Sequence, residues 1–333
     1  MNKTQKIYNE LLLDLLEMQY APNKNISREY ECKNGIKIIY SIAAGPRTRI
    51  ISISVDSSVK NIIFPSWQGV SVNIVIIPEY DTNDQLFLEL SQSPDTEAYI
   101  FEIVAEDLRR GLETLSDGKH TVSAIVNILK KWAAFFKQGK KPVLSSLAAQ
   151  GLYGELLFLK ELISSTGAQY VGSWESVKNT HDYYIGQNAV EIKTCSVQNP
   201  YKAHISSEHQ LDGGDVNGRL FLRLYALRKD HNGGQRLPEI IEEIRKLLQN
   251  DEAALKKFNS KIFKLGYFDS AEDYYTEGYT IRETYSFEIK EGFPCISMKN
   301  IPRSVSNVEY DLIVNQCMDY IIDADELMKG VKS

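Results

Sequence analysis

His181-Asp182-Tyr183-Tyr184-Ile185-Gly186-Gln187-Asn188-Ala189-Val190-Glu191-Ile192-Lys193-Thr194-Cys195 reads as a β-hairpin. Gly186, Gln187 and Asn188 mark its turn, because Gly and Asn accept the positive φ that such turns require. The turn folds Asp182 back beside the second strand. Side chains alternate faces along a strand, so Glu191, Lys193 and Cys195 point one way while Val190, Ile192 and Thr194 point the other. Two carboxylates and an ammonium therefore converge. Oxygen ligands of this kind hold a hard divalent cation such as Mg²⁺, and an ammonium among them can stand next to a phosphate or an attacking water.

Immediately N-terminal, residues 145–165, SSLAAQGLYGELLFLKELISS, have helical composition and stop near Thr166 and Gly167. Ala148, Leu152, Leu156, Leu159 and Ile163 recur at helical spacing, and Glu155 lies within that stripe. A carboxylate on the core side of a helix is costly unless it is paired or binds a metal. An Asp followed by Glu-x-Lys is by itself unspecific, since a chain of this length contains about one or two chance matches. Glu31-Cys32-Lys33 lacks a preceding Asp hairpin, and Glu288-Ile289-Lys290 follows Asp273 only at a longer interval. Helix, Asp strand and Glu-x-Lys strand occur in that order only between residues 145 and 195.

This arrangement resembles the PD-(D/E)XK nuclease superfamily, the fold of many restriction endonucleases. Asp182 stands at the D, Glu191 at the acidic second position and Lys193 at the K; His181 replaces the usual Pro. In that superfamily a helix before the hairpin commonly adds an acidic residue, and Glu155 occupies that place. Gln150-Gly151-Leu152-Tyr153-Gly154-Glu155-Leu156, the hairpin, and Ile205-Ser206-Ser207-Glu208-His209-Gln210-Leu211 are similar to one bacterial PD-(D/E)XK family. That family is labelled a domain of unknown function and is associated with phage-defence gene sets.

The resemblance implies an α/β (α+β) protein with a restriction-endonuclease-like core, a β-rich N-terminal domain and a C-terminal α/β extension. The implied activity is metal-dependent phosphodiester hydrolysis, as a DNA endonuclease in a bacterial defence or restriction system. Asp182, Glu191, Glu155 and the carbonyl of Ile192 are the expected ligands of Mg²⁺ or Mn²⁺. Lys193 would orient the water or stabilise charge on the phosphate. Gln150 would orient water or phosphate, or else is a helix-surface amide. The alternative is a catalytically silent nuclease-fold subunit that binds nucleic acid or serves as an adaptor; the intact Asp182, Glu191 and Lys193 argue against it. Expected partners are DNA and other defence-system proteins, with homodimerisation left open.

The 333 residues suffice for a sizeable core and for two domains or one elaborated domain. A formal net charge of −6 argues against a generally sticky nucleic-acid binder and shifts weight toward weak or partner-assisted binding, while a local basic cleft and a bound metal leave room for a nuclease. Cys32, Cys195, Cys295 and Cys317 are isolated, which fits a reducing cytoplasm and indicates neither a zinc ribbon nor a disulfide framework. No signal-peptide pattern and no bilayer-spanning apolar run is found.

Residues 1–20 read as an amphipathic helix. Segments 35–44, 49–55, 70–78, 86–90 and 98–105 read as short strands, and 121–137 as a helix. Gln138-Gly139-Lys140-Lys141-Pro142 marks the boundary between domains 1–140 and 141–333. A strand at 219–228, one helical stretch at 238–264 and a β-rich piece at 279–301 follow. Strand 219–228 carries Arg219, Phe221, Arg223 and Tyr225 on one face, suited to phosphate and base contact, or belonging to a half-covered edge strand. Lys140, Lys141, Lys178 and Lys202 flank the site and are more simply read as solvated lysines. His204 and His209 lack a third ligand at suitable spacing, and Cys195 reads as a small buried thiol.

Overall fold

In a computed structural model the described residues are 1–17, 24–43, 45–78, 85–175, 180–231 and 233–332. They fall into two compact units. The first comprises Met1–Val143 and the short segment Phe268–Asp273; the second comprises Leu144–Tyr267 and Tyr274–Ser333.

In the first unit the chain runs α1 (Lys3–Glu17), β1 (Ile26–Glu31), β2 (Lys37–Ile42), β3 (Arg49–Val55), β4 (Val70–Ile76), β5 (Leu86–Gln92), α2 (Ala98–Glu113) and α3 (Thr121–Phe136). The strands form an antiparallel sheet in the order β1-β2-β3-β5-β4. Tyr8 of α1 is fully buried: its ring meets Tyr40 edge-on and its hydroxyl donates to the Ile50 carbonyl. Phe268, delivered from far along the chain, stacks on Trp132 of α3 with 4.3 Å between ring centroids.

One local reading is corrected here, and one strand is added. Residues 98–105 begin a helix, not a strand: Phe101, Val104, Ala105, Leu108 and Leu112 form a buried stripe at 3.6-residue periodicity that becomes visible only past residue 105. Strand β1 has a mostly polar sequence, ISREYE, with half of its positions exposed, so its burial alternation carries little apolar signal. The N-terminal helix is described over Lys3–Glu17, and its expected end at Tyr20, like the expected strand end at Ala44, lies outside the described residues.

The second unit contains α4 (Ser146–Thr166), β6 (Tyr183–Ile185), β7 (Asn188–Cys195), β8 (Lys202–Ile205), β9 (Leu220–Asp230), β10 (Gln235–Arg236), α5 (Leu237–Leu247), α6 (Glu252–Leu265), β11 (Gly278–Ile289), β12 (Tyr310–Ile313), β13 (Ile321–Ile322) and α7 (Ala324–Gly330). Its main sheet runs β10-β11-β9-β7-β6 with β13 beside β11, and β7 and β9 pair in parallel. Helix α4 is punctuated as its sequence demands. Ser145 caps the Ala148 N–H, and Gly167 takes φ 93° at the C-terminus, where a side chain would be strained. Gly154 brings the helix close to β7, since a Cβ there would lie 2.2 Å from Thr194 Cγ2. Ile192 and Thr194 thus face α4. The opposite face of the sheet carries Cys195, Leu222, Leu224 and Ala226, with Phe287 of β11 beside Leu222, and packs with Phe293, Leu312 and Cys317.

The stretch 238–264 is two helices, because Asp251 caps the Ala254 N–H and restarts the chain as α6. Regular strand in 279–301 ends at Ile289. Strand β9 is central, between β7 and β11, and not an edge. Its Arg223 is buried, bonded to Glu161 of α4 at 2.9 Å and to Ser286 of β11 at 2.6 Å, so it is unavailable to a phosphate. Phe221 and Tyr225 beside it are fully buried and offer no stacking surface.

Candidate active site

The hairpin register creates the site. Tyr184 pairs with Ala189 and Tyr183 with Val190, which carries Asp182 to the level of Glu191. Gly186 at the turn adopts φ 62°. Asp182 Oδ2 accepts the Ile192 N–H at 2.8 Å, fixing one oxygen of the carboxyl against the backbone of β7. Glu191 is 1 % exposed, and its Oε1 lies 2.9 Å from the Lys193 ammonium. Lys193 Nζ also donates to Gln210 Oε1 at 2.8 Å. That Gln210 oxygen accepts in turn from the Ser206 N–H at 3.0 Å, so the loop after β8 aims the lysine.

Glu155 comes from α4 to the neighbourhood of this pair. Its Oε2 accepts the Trp174 indole N–H at 2.7 Å, and its backbone carbonyl accepts the Tyr183 hydroxyl at 2.7 Å. Trp174 is placed by a bridge to Tyr183 and is almost completely buried. Burial raises the Glu155 carboxyl to about 7; the Trp174 hydrogen bond opposes the rise and the Glu191 charge adds to it. Asp182 is pushed well above the ordinary carboxylate range, by burial first, then by Glu191 and Glu155; the Ile192 N–H and Lys193 pull the other way. Acidic groups are crowded here beyond what nearby donors neutralise.

These residues fit a hard cation. Glu191 Oε2 is buried and receives no hydrogen bond, an expensive state that an oxygen-seeking metal would relieve. Among the described residues, no three His, Cys, Asp or Glu side chains form a ready-made metal cluster. The donor set on offer is Asp182, Glu191 and the carbonyl of Ile192, with Glu155 adjacent on its indole partner. Gln150 is carried elsewhere: its Nε2 donates to Thr194 Oγ1 at 3.1 Å, on the face of β7 opposite Lys193, and its Oε1 is buried without a partner.

Two contributors escaped sequence reasoning. His181, 3 % exposed, sits with Nε2 3.2 Å from Asp215 Oδ1 and Nδ1 3.8 Å from Glu191 Oε2, and the Tyr184 hydroxyl donates to Asp215 at 2.8 Å. Burial opposes protonation of His181, but Glu191 and Asp215 outweigh it and raise its pKa. Lys261 of α6 places its ammonium 4.6 Å from the centroid of the Trp174 ring. Burial lowers it to about 8 against the charges of Glu175 and Glu155. His181 was visible in the sequence only as the residue before Asp182, with nothing to show its contacts to Asp215 and Glu191, and no spacing rule joins Lys261 to the Glu-x-Lys strand.

Other candidates are engaged elsewhere. Lys141 pairs with Glu97, Lys202 lies 3.7 Å from Asp311, and Lys178 lies outside the described residues. His204 pairs with Asp311, and His209 is 3.9 Å from Glu208. Of the rival motif, Glu288 is bound to Arg219 and Asp273 to the amino terminus. Cys195 is a buried core thiol.

With this geometry in view, the family comparison is direct. The family model DUF4420, whose description places it among the PD-(D/E)XK proteins, matches residues 9–315, and the chain belongs to that family. No curated protein and no solved structure matches the chain. No helix among the described residues is long and apolar enough to cross a membrane.

Proposed function

We propose that this protein is a metal-dependent phosphodiesterase that cuts DNA, working in the bacterial cytoplasm as part of a restriction or phage-defence system. The observation that carries the reading is the unsatisfied Glu191 Oε2 beside an Asp182 whose ionisation is opposed by its surroundings. Membership of the PD-(D/E)XK family supports the same chemistry.

Asp182, Glu191 and the Ile192 carbonyl would hold Mg²⁺ or Mn²⁺, with Glu155 beside them. When bound, the cation supplies a Lewis acid for a phosphate oxygen and a water acidic enough to attack at neutral pH. Asp182 and Glu155 give up protons as they take on that role. Lys193, oriented by Gln210 and Glu191, presents its ammonium to charge developing on the phosphate. Gln150 acts indirectly in this scheme, holding Thr194 and thereby β7.

The net charge of −6 favours assistance from partner proteins in finding DNA. The first unit is the proposed recognition or docking part. It contains a cleft of about 900 Å³ lined by residues including Trp67, Phe136, Lys137 and Lys140. The test is a plasmid-nicking assay on the full chain with Mg²⁺ or Mn²⁺, against EDTA and against Asp182→Ala. Cutting that persists undiminished in EDTA would sink the proposal.

A further inference from the structure

A phosphodiester approaching Asp182 and Glu191 brings negative charge to a place already crowded with it, and Lys193 is occupied by Glu191 and Gln210. A second source of positive charge is needed. Helix α6 offers one. Lys257, Lys261 and Lys264 are spaced i, i+4 and i+7, which puts them along one stripe of the helix, while Phe258 and Ile262 turn into the core.

Trp174 and the segment before it tie that stripe to the site. Trp174 lies between α6 side chains, its ring centroid 6.0 Å from that of Phe258 and 4.6 Å from Lys261 Nζ. The same indole holds Glu155 through its N–H. Lys257 extends over the segment just before Trp174, since a Cβ at Gly172 would lie 2.8 Å from its Nζ. Lys261 is half-buried and spends its charge on an aromatic face, forming no ion pair among the described residues. From Lys257 to Lys264 the helix rises roughly 10 Å, long enough to meet more than one phosphate of a strand that rises about 3.4 Å per nucleotide along the duplex axis.

Resting on the nuclease reading above, we propose that α6 is the backbone track for the DNA strand: Lys261 receives the phosphate nearest the carboxylates, and Lys257 and Lys264 receive its neighbours. Lys261 is a positioning and binding residue in this account, while bond cleavage belongs to the carboxylate site.

The experiment measures binding of the full-length protein to a fluorescein-labelled DNA duplex in EDTA, across a series of KCl concentrations. The wild type should bind weakly, with a shallow but measurable salt slope. Lys261→Ala should reduce the slope of log Kd against log salt by about 0.9, and Lys257→Ala, Lys261→Ala and Lys264→Ala combined by about 2.7. Lys261→Arg should restore the slope. Lys256→Ala, one position off the stripe, should leave it unchanged, a contrast that a merely structural role for Lys261 does not produce. Circular dichroism of each variant checks the fold.

An unchanged slope in the folded triple variant, or a wild type that does not bind DNA, overturns the track. The nuclease reading fails separately: a wild type that binds through α6 but never cuts, with any divalent cation, keeps the track and removes the hydrolysis.

Discussion

Both units bury carboxylates, and they treat them in opposite ways. In the first, Glu106 of α2 is fully buried and both of its oxygens are satisfied. Arg109 Nη2 and Arg110 Nε donate to Oε1, while Arg109 Nε and the Thr4 hydroxyl donate to Oε2. Burial alone would raise its pKa, but these donors win and hold it below the usual carboxylate range. In the second, the charge of Glu191 helps burial to raise both Asp182 and Glu155, while Lys193 pairs with one Glu191 oxygen at 2.9 Å and the other has only His181 Nδ1 at 3.8 Å and no hydrogen bond. The first arrangement stabilises a fold. The second is strained unless something else binds, and strain of that kind concentrates where proteins do chemistry.

The contrast is broken most severely at the second site. Asp182→Ala or Glu191→Ala should abolish metal-dependent cleavage, a loss of several orders of magnitude, without lowering the metal-free melting temperature. A variant of either kind that melts well below the wild type without metal would show that these carboxylates are structural after all. At the first site the reverse is expected. Glu106→Ala leaves Arg109 and Arg110 without their central partner and should cost about 3–5 kcal/mol of stability in urea denaturation. A loss near zero would mean that the two arginines repair the network through Glu113 and Glu272, which they already touch.

Lys193→Ala should keep metal affinity and lose roughly 10²–10³-fold in cleavage rate, the effect typical of removing one charge-stabilising donor. Wild-type cutting by this variant would remove Lys193 from the mechanism. The smallest effect is on pH. Between about 4.5 and 7 the folded chain holds a proton on Glu155 that the unfolded chain has lost, so metal-free stability of the second unit should fall as pH rises through that window. Glu106 has the opposite sign: its contribution is complete above its ordinary value of 4.5 and is lost as pH falls below it. Native-state hydrogen exchange in α4 and β7 against α2, corrected for intrinsic rates, separates the two trends. Parallel trends in both regions would erase the distinction.

How much of this was legible in the sequence follows from the range of the forces involved. The hairpin could be read because turn chemistry at Gly186 and strand alternation at Glu191 and Lys193 are local, and α4 because Ser145 and Gly167 punctuate it. Residues 98–105 were misread because an apolar run of that length suits strand and helix equally, and the deciding turn, Leu108 to Leu112, lies beyond it. Burial of Arg223 could not be anticipated, since the partner that removes it from the surface is Glu161, 62 residues away. Lys261 and Asp215 were invisible for the same reason: what recruits them to the site is Trp174 and His181, through contacts that only the folded chain makes. Gln150 was recognised as near the site, but the face of β7 it reaches is set by the close approach at Gly154.

The claim on which the rest depends is that the crowded carboxylates are a metal site. Isothermal titration of Mn²⁺ into the full-length protein and into Asp182→Ala, repeated in buffers of different ionisation enthalpy, tests it directly. The wild type should bind the ion and release protons from the carboxyls, and Asp182→Ala should lose that binding while remaining folded. Equal Mn²⁺ affinity in the two proteins, or no binding by the wild type, would contradict the account.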